Sequence, residues 1–187
     1  MNQFNEKSDQ DLSDALRAKL KSYPDFPKPG INFLDVFSLY ADLEGSQILN
    51  EVFIRKGRSV IGQIDVVVGL DARGFLMGPI IAREANVPFV PVRKSGKLPG
   101  LTVGTAYSLE YGEASVEIQK DAIPEKARVL IVDDLLATGG TLNAAATLIS
   151  KLGLGITVTE CFVLMELAFL KGRDKITSKV SCTLSFD

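Results

Sequence analysis

A chain of 187 residues, 46% of them hydrophobic, is long enough to bury the core of one domain without disulfides or a structural metal. Its formal charge of −2 excludes a broad electrostatic pull on nucleic acid, and its lack of histidine removes the commonest acid–base side chain and most transition-metal sites. Chemistry is left to Asp, Glu, Lys and Tyr. Cys161 and Cys182 make no metal-ligand pattern, the polar stretch MNQFNEKSDQD is no signal segment, and no run nears the roughly 18 apolar residues of a membrane span. The expectation is a soluble, cytoplasmic protein with neither nucleic acid nor membrane as partner.

In chain order, DLSDALRAKLKSY (11–23) predicts a helix with Leu12, Leu16 and Leu20 on one face and Ala15 beside them. PDFPKPG (24–30) stops it, since three prolines and a glycine make a defined loop rather than a linker. INFLDVFSLY mixes large apolar residues with polar ones, and GSQILNEVFIRKGRSVIG (45–62) predicts a second helix. IDVVVGL (64–70) reads as a buried strand ending in DARG (71–74), and FLMGPIIAREAN (75–86) as the helix that follows. VPFVPVRK (87–94) is a further strand, which its prolines keep short or near an edge. TVGTAYSLEYGEASVEIQ (102–119) alternates apolar with polar and predicts an antiparallel pair turning near Tyr111 and Gly112. VLIVDDLLATGGT (129–141), the helical LNAAATLISKL, and the strands ITVTECFVLMEL and VSCTLSF complete the chain. Strand and helix in alternation predict an α/β fold, a doubly wound parallel sheet flanked by helices, with the hairpin and residues 24–40 as excursions.

Three strand ends carry unusual chemistry: DARG, RKSGKLPG (93–100) and DDLLATGGT (133–141). Open α/β sheets gather their ligands at such ends. Asp133 and Asp134 repel each other and call for a cation, a ligand hydroxyl or a set of donors. Gly139 and Gly140, with the hydroxyls of Thr138 and Thr141, lead into a helix N-terminus, which is an anion site. Arg73, Arg93, Lys94 and Lys97 offer cations opposite the acidic pair. Together these suit a ligand with hydroxyls and two separated phosphate groups, held with a divalent metal. Glu110 read alone is equally an exposed hairpin charge, Phe33 a core aromatic, and Asp71 an orienter of Arg73 or of its own loop backbone.

VLIVDDLLATGGT resembles the phosphoribosyl-pyrophosphate (PRPP) motif of the type I phosphoribosyltransferases. YPDFPKPGINFLD, GLDARGFLMGP, PVRKSGKLPG, YSLEYG, EIQKDAIP and ELAFLKGR are similar to the adenine branch of that family, in its order from residue 23 to 173. The resemblance implies a single transferase domain over 1–187, with 24–40 in a small hood and 95–119 as a mobile antiparallel catalytic loop or hairpin. It implies that adenine and PRPP give AMP and pyrophosphate with Mg2+, in a homodimer. It implies a 5′-phosphate cradle at Ala137, Thr138, Gly139, Gly140 and Thr141, with Asp133 and Asp134 on the ribose hydroxyls and on metal, directly or through water. Arg73, Arg93, Lys94 and Lys97 match the pyrophosphate side. Glu110 and Tyr111 match catalytic loop residues, and with histidine absent Glu110 is the partner expected for the adenine ring proton. Phe33 matches the aromatic that stacks on the base, with Ile31, Asn32 and Leu34 supplying backbone groups to its edge. Some members carry arginine at the position of Leu34, and a backbone contact there survives the change. Transfer to another purine base, or a PRPP- or nucleotide-binding regulator without catalysis, are the alternatives that remain.

Overall fold

Ser8 opens the first helix by a reciprocal cap: its Oγ accepts from the Asp11 N–H, and Asp11 accepts in return from the Ser8 N–H. The structure, a computed structural model, describes residue 4 and residues 6–109 and 112–187, the side chains at 107–109 and 112–114 excepted. It divides into two units, Met1–Arg55 and Lys56–Asp187. Among the described residues no helix is long and apolar enough to cross a membrane.

In the first unit, helix α1 (Asp9–Lys19) buries Leu12 and Leu16. The helix stops four residues short of the predicted Tyr23. Lys21–Pro24 instead forms strand β1, paired antiparallel with β2 (Asn32–Asp35). Pro24 disfavours helical backbone at Tyr23, and the facing strand offers the freed N–H and C=O groups a ladder. Helix α2 (Val36–Ala41) starts on Asp35, whose carboxylate accepts from the Phe37 N–H, and α3 (Leu43–Ser59) follows, its residues up to Arg55 belonging to this unit.

The second unit is built on a seven-stranded mixed sheet. Its members are β3 (Val66–Leu70), β4 (Phe89–Lys94), β5 (Thr102–Leu109), β6 (Gly112–Gln119), β7 (Arg128–Leu136), β8 (Thr157–Leu167) and β9 (Lys179–Phe186). Their order is β5-β6-β4-β3-β7-β8-β9, with β4, β3, β7, β8 and β9 all parallel. β3 is buried along its whole length, as its unbroken aliphatic run requires. Helix α4 (Gly74–Ala85) connects β3 to β4, and α5 (Gly140–Lys151) connects β7 to β8. From β8 to β9 the chain crosses instead by two 3-10 turns, Ala168–Leu170 and Gly172–Lys175, so the alternation of strand and helix lapses there.

β4 is not an edge strand, yet Pro91 within it sits as an edge would have it. The Val67 and Asp71 N–H groups donate to the carbonyls of Pro88 and Val92, so residues of that parity face β3. Pro91 therefore turns its missing N–H toward β6, which pairs β4 only at Arg93 and Lys94. The hairpin β5–β6 is antiparallel as expected, with Leu109 opposite Gly112 in β6, and positions 110 and 111 between them lie outside the described residues.

Candidate active site

β3 has β4 on one side and β7 on the other, and the connections β3 to β4 and β7 to β8 step away from each other along the sheet. That is the strand-order reversal at which open α/β sheets form a crevice. The chain turns sharply after β3, through a cis peptide between Asp71 and Ala72, into α4. Gly74 lets this turn close on β7, because a Cβ there would stand 2.6 Å from the Val132 carbonyl oxygen.

The acidic pair lies within β7 rather than after it, since the strand runs on to Leu136. Asp134 is 2% exposed, and its Oδ2 takes the Arg73 Nε at 2.8 Å. Asp133 is partly exposed and accepts the Asp134 N–H at 2.9 Å. Burial raises both carboxyls above the ordinary carboxylate value; for Asp133 the Asp134 charge adds to it, while Arg73 opposes it for both. Of the two readings of Asp71, neither describes its contact: it accepts from Arg93 Nε at 3.1 Å, and Arg73 goes to Asp134. The two arginines thus each hold a site carboxylate while both remain more than a third exposed.

Lys94 shares a cavity of about 30 Å³ with Asp71, Val92 and Thr141, so the ends of β3 and β4 and the start of α5 meet at one place. Lys97 lies exposed on the next turn. Among the described residues neither lysine has a salt-bridge partner. Residues 137–141 leave β7 and enter α5 through Gly139, whose φ of 80° suits glycine and whose lack of a side chain leaves the helix uncapped. The first N–H groups of α5 have no intrahelical acceptor and stay available to an anion.

Glu117 on β6 is a site residue that no local pattern marks. It is 7% exposed, and its Oε1 accepts both the Lys97 and the Leu98 N–H at 2.8 Å, while Oε2 takes the Thr102 hydroxyl at 3.2 Å. Those bonds, the Leu98 N–H foremost, hold its carboxyl below the ordinary glutamate value. The Lys97 carbonyl in turn accepts from Arg93 Nη1 at 3.2 Å. Only the register of β6 on β4, which sets Glu117 opposite Arg93, could have revealed it.

In the first unit, Phe33 lies partly buried against Phe26, ring centroids 5.2 Å apart and planes at 79°. Ile31 spends its N–H on the Lys28 carbonyl, and its carbonyl accepts from Phe26. Asn32, Phe33 and Leu34 pair with Pro24, Tyr23 and Ser22 of β1, so the backbone groups open to a ligand edge are those of the alternate residues that face away from β1. Glu110 and Tyr111 lie outside the described residues.

The donors suit a particular kind of metal. Among the described residues no three His, Cys, Asp or Glu side chains gather as a ligand set. Two carboxylates beside an anion cradle match a hard cation that brings substrate oxygens with it, as Mg2+ does, rather than a resident ion in a protein cage.

The family model for the phosphoribosyl transferase domain matches residues 38–180. Adenine phosphoribosyltransferase of Caenorhabditis elegans is 47% identical over 182 residues, covering 93% of this chain and 96% of its own. The adenine phosphoribosyltransferase of Saccharomyces cerevisiae, crystallised with an imino-altritol bisphosphate and adenine, superposes with a TM-score of 0.86 at 41% identity, covering 94% of this chain and 99% of that one. The Giardia lamblia enzyme, bound to 9-deazaadenine, gives a TM-score of 0.82 at 33% identity, with 96% and 98% covered.

Proposed function

The chain belongs to the adenine phosphoribosyltransferases of the type I phosphoribosyltransferase family, and from that premise we propose how its residues transfer phosphoribose from PRPP to adenine in purine salvage. Adenine N9 bonds to the anomeric carbon, the bond from that carbon to the pyrophosphate oxygen breaks, and the adenine ring proton departs. The products are AMP and pyrophosphate.

The observation that carries this reading is the acidic pair of β7 set against the uncapped start of α5, with Arg73 bonded to Asp134. The first N–H groups of α5 and the 137–141 loop receive the 5′-phosphate. Asp133 and Asp134 take the ribose hydroxyls, and their charge favours the oxocarbenium character that ribose gains as the bond breaks. Mg2+, bound by Asp133 and Asp134 directly or through water, would supply charge neutralisation to the departing pyrophosphate. Arg73, Arg93, Lys94 and Lys97 supply the remaining positive charge on that side. Glu110 receives the ring proton, and Tyr111 is the second catalytic residue of the same segment. Closure of the 95–119 segment keeps water, the competing nucleophile, from the anomeric carbon.

Phe33 stacks on adenine while backbone groups at 32–34 read its edge. A carbonyl that accepts from the adenine amino group would face the oxygen of hypoxanthine or guanine, and sites built on such bonds discriminate by about 10⁴ or more. The assembly is a homodimer, a reading supported by the exposed Leu43, Leu101 and Phe169, and it works in the cytoplasm. Steady-state kcat/KM with PRPP, Mg2+ and a panel of adenine, hypoxanthine and guanine tests the proposal. Adenine is expected to win by orders of magnitude. Equal use of another purine would replace the base assignment, and binding of PRPP without turnover would make the protein a regulator.

A further inference from the structure

The proposed reaction leaves ELAFLKGR, residues 166–173, without a task. This stretch closes β8 and supplies most of the two 3-10 turns that stand in place of a crossover helix. Gly172 is buried against the 137–141 loop. A Cβ on Gly172 would clash with the Ala137 carbonyl oxygen and stand 2.9 Å from the Gly139 nitrogen, while one on Gly139 would clash with the Gly172 carbonyl oxygen. Two backbones touch here because neither residue carries a side chain. The Gly172 turn is the floor on which the loop rests.

Arg173 fixes that floor. Its Nε and Nη2 fork onto the two carboxylate oxygens of Glu166, and its Nη1 donates to the Val180 carbonyl at 2.8 Å. Glu166 is 4% exposed, so the fork is anchored in the interior at its carboxylate end. One arginine thereby ties the end of β8 to β9 and holds the turn between them. A planar fork sets direction as well as distance, which a lysine ammonium does not.

We propose that Gly172, Arg173 and Glu166 are positioning residues for the 5′-phosphate, setting the direction in which the N–H groups of 137–141 point. The inference rests on the reading of that loop as the phosphate cradle. Hydrogen bonds weaken steeply as they bend, so a small displacement of the floor is felt in every donor above it. The pyrophosphate side has separate anchors, Asp134 for Arg73 and Asp71 for Arg93, and does not depend on the floor.

Calorimetric titration of Arg173→Lys, Glu166→Gln and Gly172→Ala with AMP, and separately with magnesium pyrophosphate, tests this. AMP carries the 5′-phosphate and pyrophosphate does not. The expected result is AMP affinity lowered roughly 10–100-fold, by analogy with the loss of residues that orient metal ligands, with pyrophosphate affinity unchanged. A general loss of structure would not separate the two ligands. Arg173→Lys keeps the charge, so its loss of AMP affinity marks geometry, and it still decides the matter if Gly172→Ala does not fold. Unchanged AMP affinity in Arg173→Lys, or equal weakening of both ligands, overturns the proposal. A parent protein that binds no AMP would overturn the cradle reading itself.

Discussion

Glu117 receives two backbone N–H groups and a hydroxyl before any ligand arrives, and so shapes the turn that carries Lys97. Glu117→Gln keeps an acceptor at the same place, whereas Glu117→Ala leaves the Lys97 and Leu98 N–H groups without one. The alanine variant should raise KM for PRPP by roughly tenfold and leave KM for adenine alone, and the glutamine variant should recover most of the loss. Equal changes in both KM values would assign Glu117 to folding. Glu110 makes the opposite kind of prediction. As proton acceptor, Glu110→Gln should lose roughly 10²–10⁴-fold in kcat with PRPP affinity kept. A folded variant with parental kcat removes it from that role. Asp133, Asp134 and the arginines were legible in the sequence because strand ends expose their chemistry locally. Glu117 was not, since its meaning depends on pairing with Arg93 of β4, 24 residues earlier in sequence.

At the scale of elements, apolar periodicity carried β3, β7, β8 and the helices α3 to α5, whose cores are continuous. It failed where tertiary pairing outweighed local pattern. The end of α1 was surrendered to β1 because β2 lay ready to pair with it. The 3-10 crossover before β9 escaped notice because AFL and GRDK have too few residues to show a period. One junction between elements can be tested directly. The start of β7 is held by Arg128, whose N–H and guanidinium both bond Asp65 just before β3, with Nη1 on the Gly62 carbonyl. These bonds, the guanidinium foremost, lower the Asp65 carboxyl from 3.8 to about 2. A depressed carboxyl contributes stability that is present above 3.8 and lost as pH falls through about 2. Asp65→Asn should therefore lower the thermal midpoint at neutral pH, and the gap to the parent should close toward pH 2. A gap constant across that range would mean that the bond contributes through shape rather than charge.

Taken as a whole, the molecule titrates unusually, because it has no histidine to change charge near neutrality. Its acidic pair is the group that departs most from ordinary behaviour, since burial lifts Asp133 and Asp134 above the ordinary carboxylate value. A raised carboxyl contributes stability that is complete below 3.8 and lost as pH rises through its folded value. The ligand-free protein should accordingly lose thermal stability as pH rises above 3.8, and replacing both residues by Asn should flatten that slope. The same lift makes ligand capture a proton-releasing event. In mildly acidic buffer, PRPP with magnesium must displace whatever protons the pair has retained, and those protons pass to the buffer. Binding heats measured in buffers of different ionisation enthalpy should then diverge in acid and converge as pH rises. Heats that ignore the buffer throughout would mean that the pair is already fully charged, held open by Arg73 alone. Through two adjacent carboxylates, the acidity of the surroundings becomes a competitor for the substrate's place.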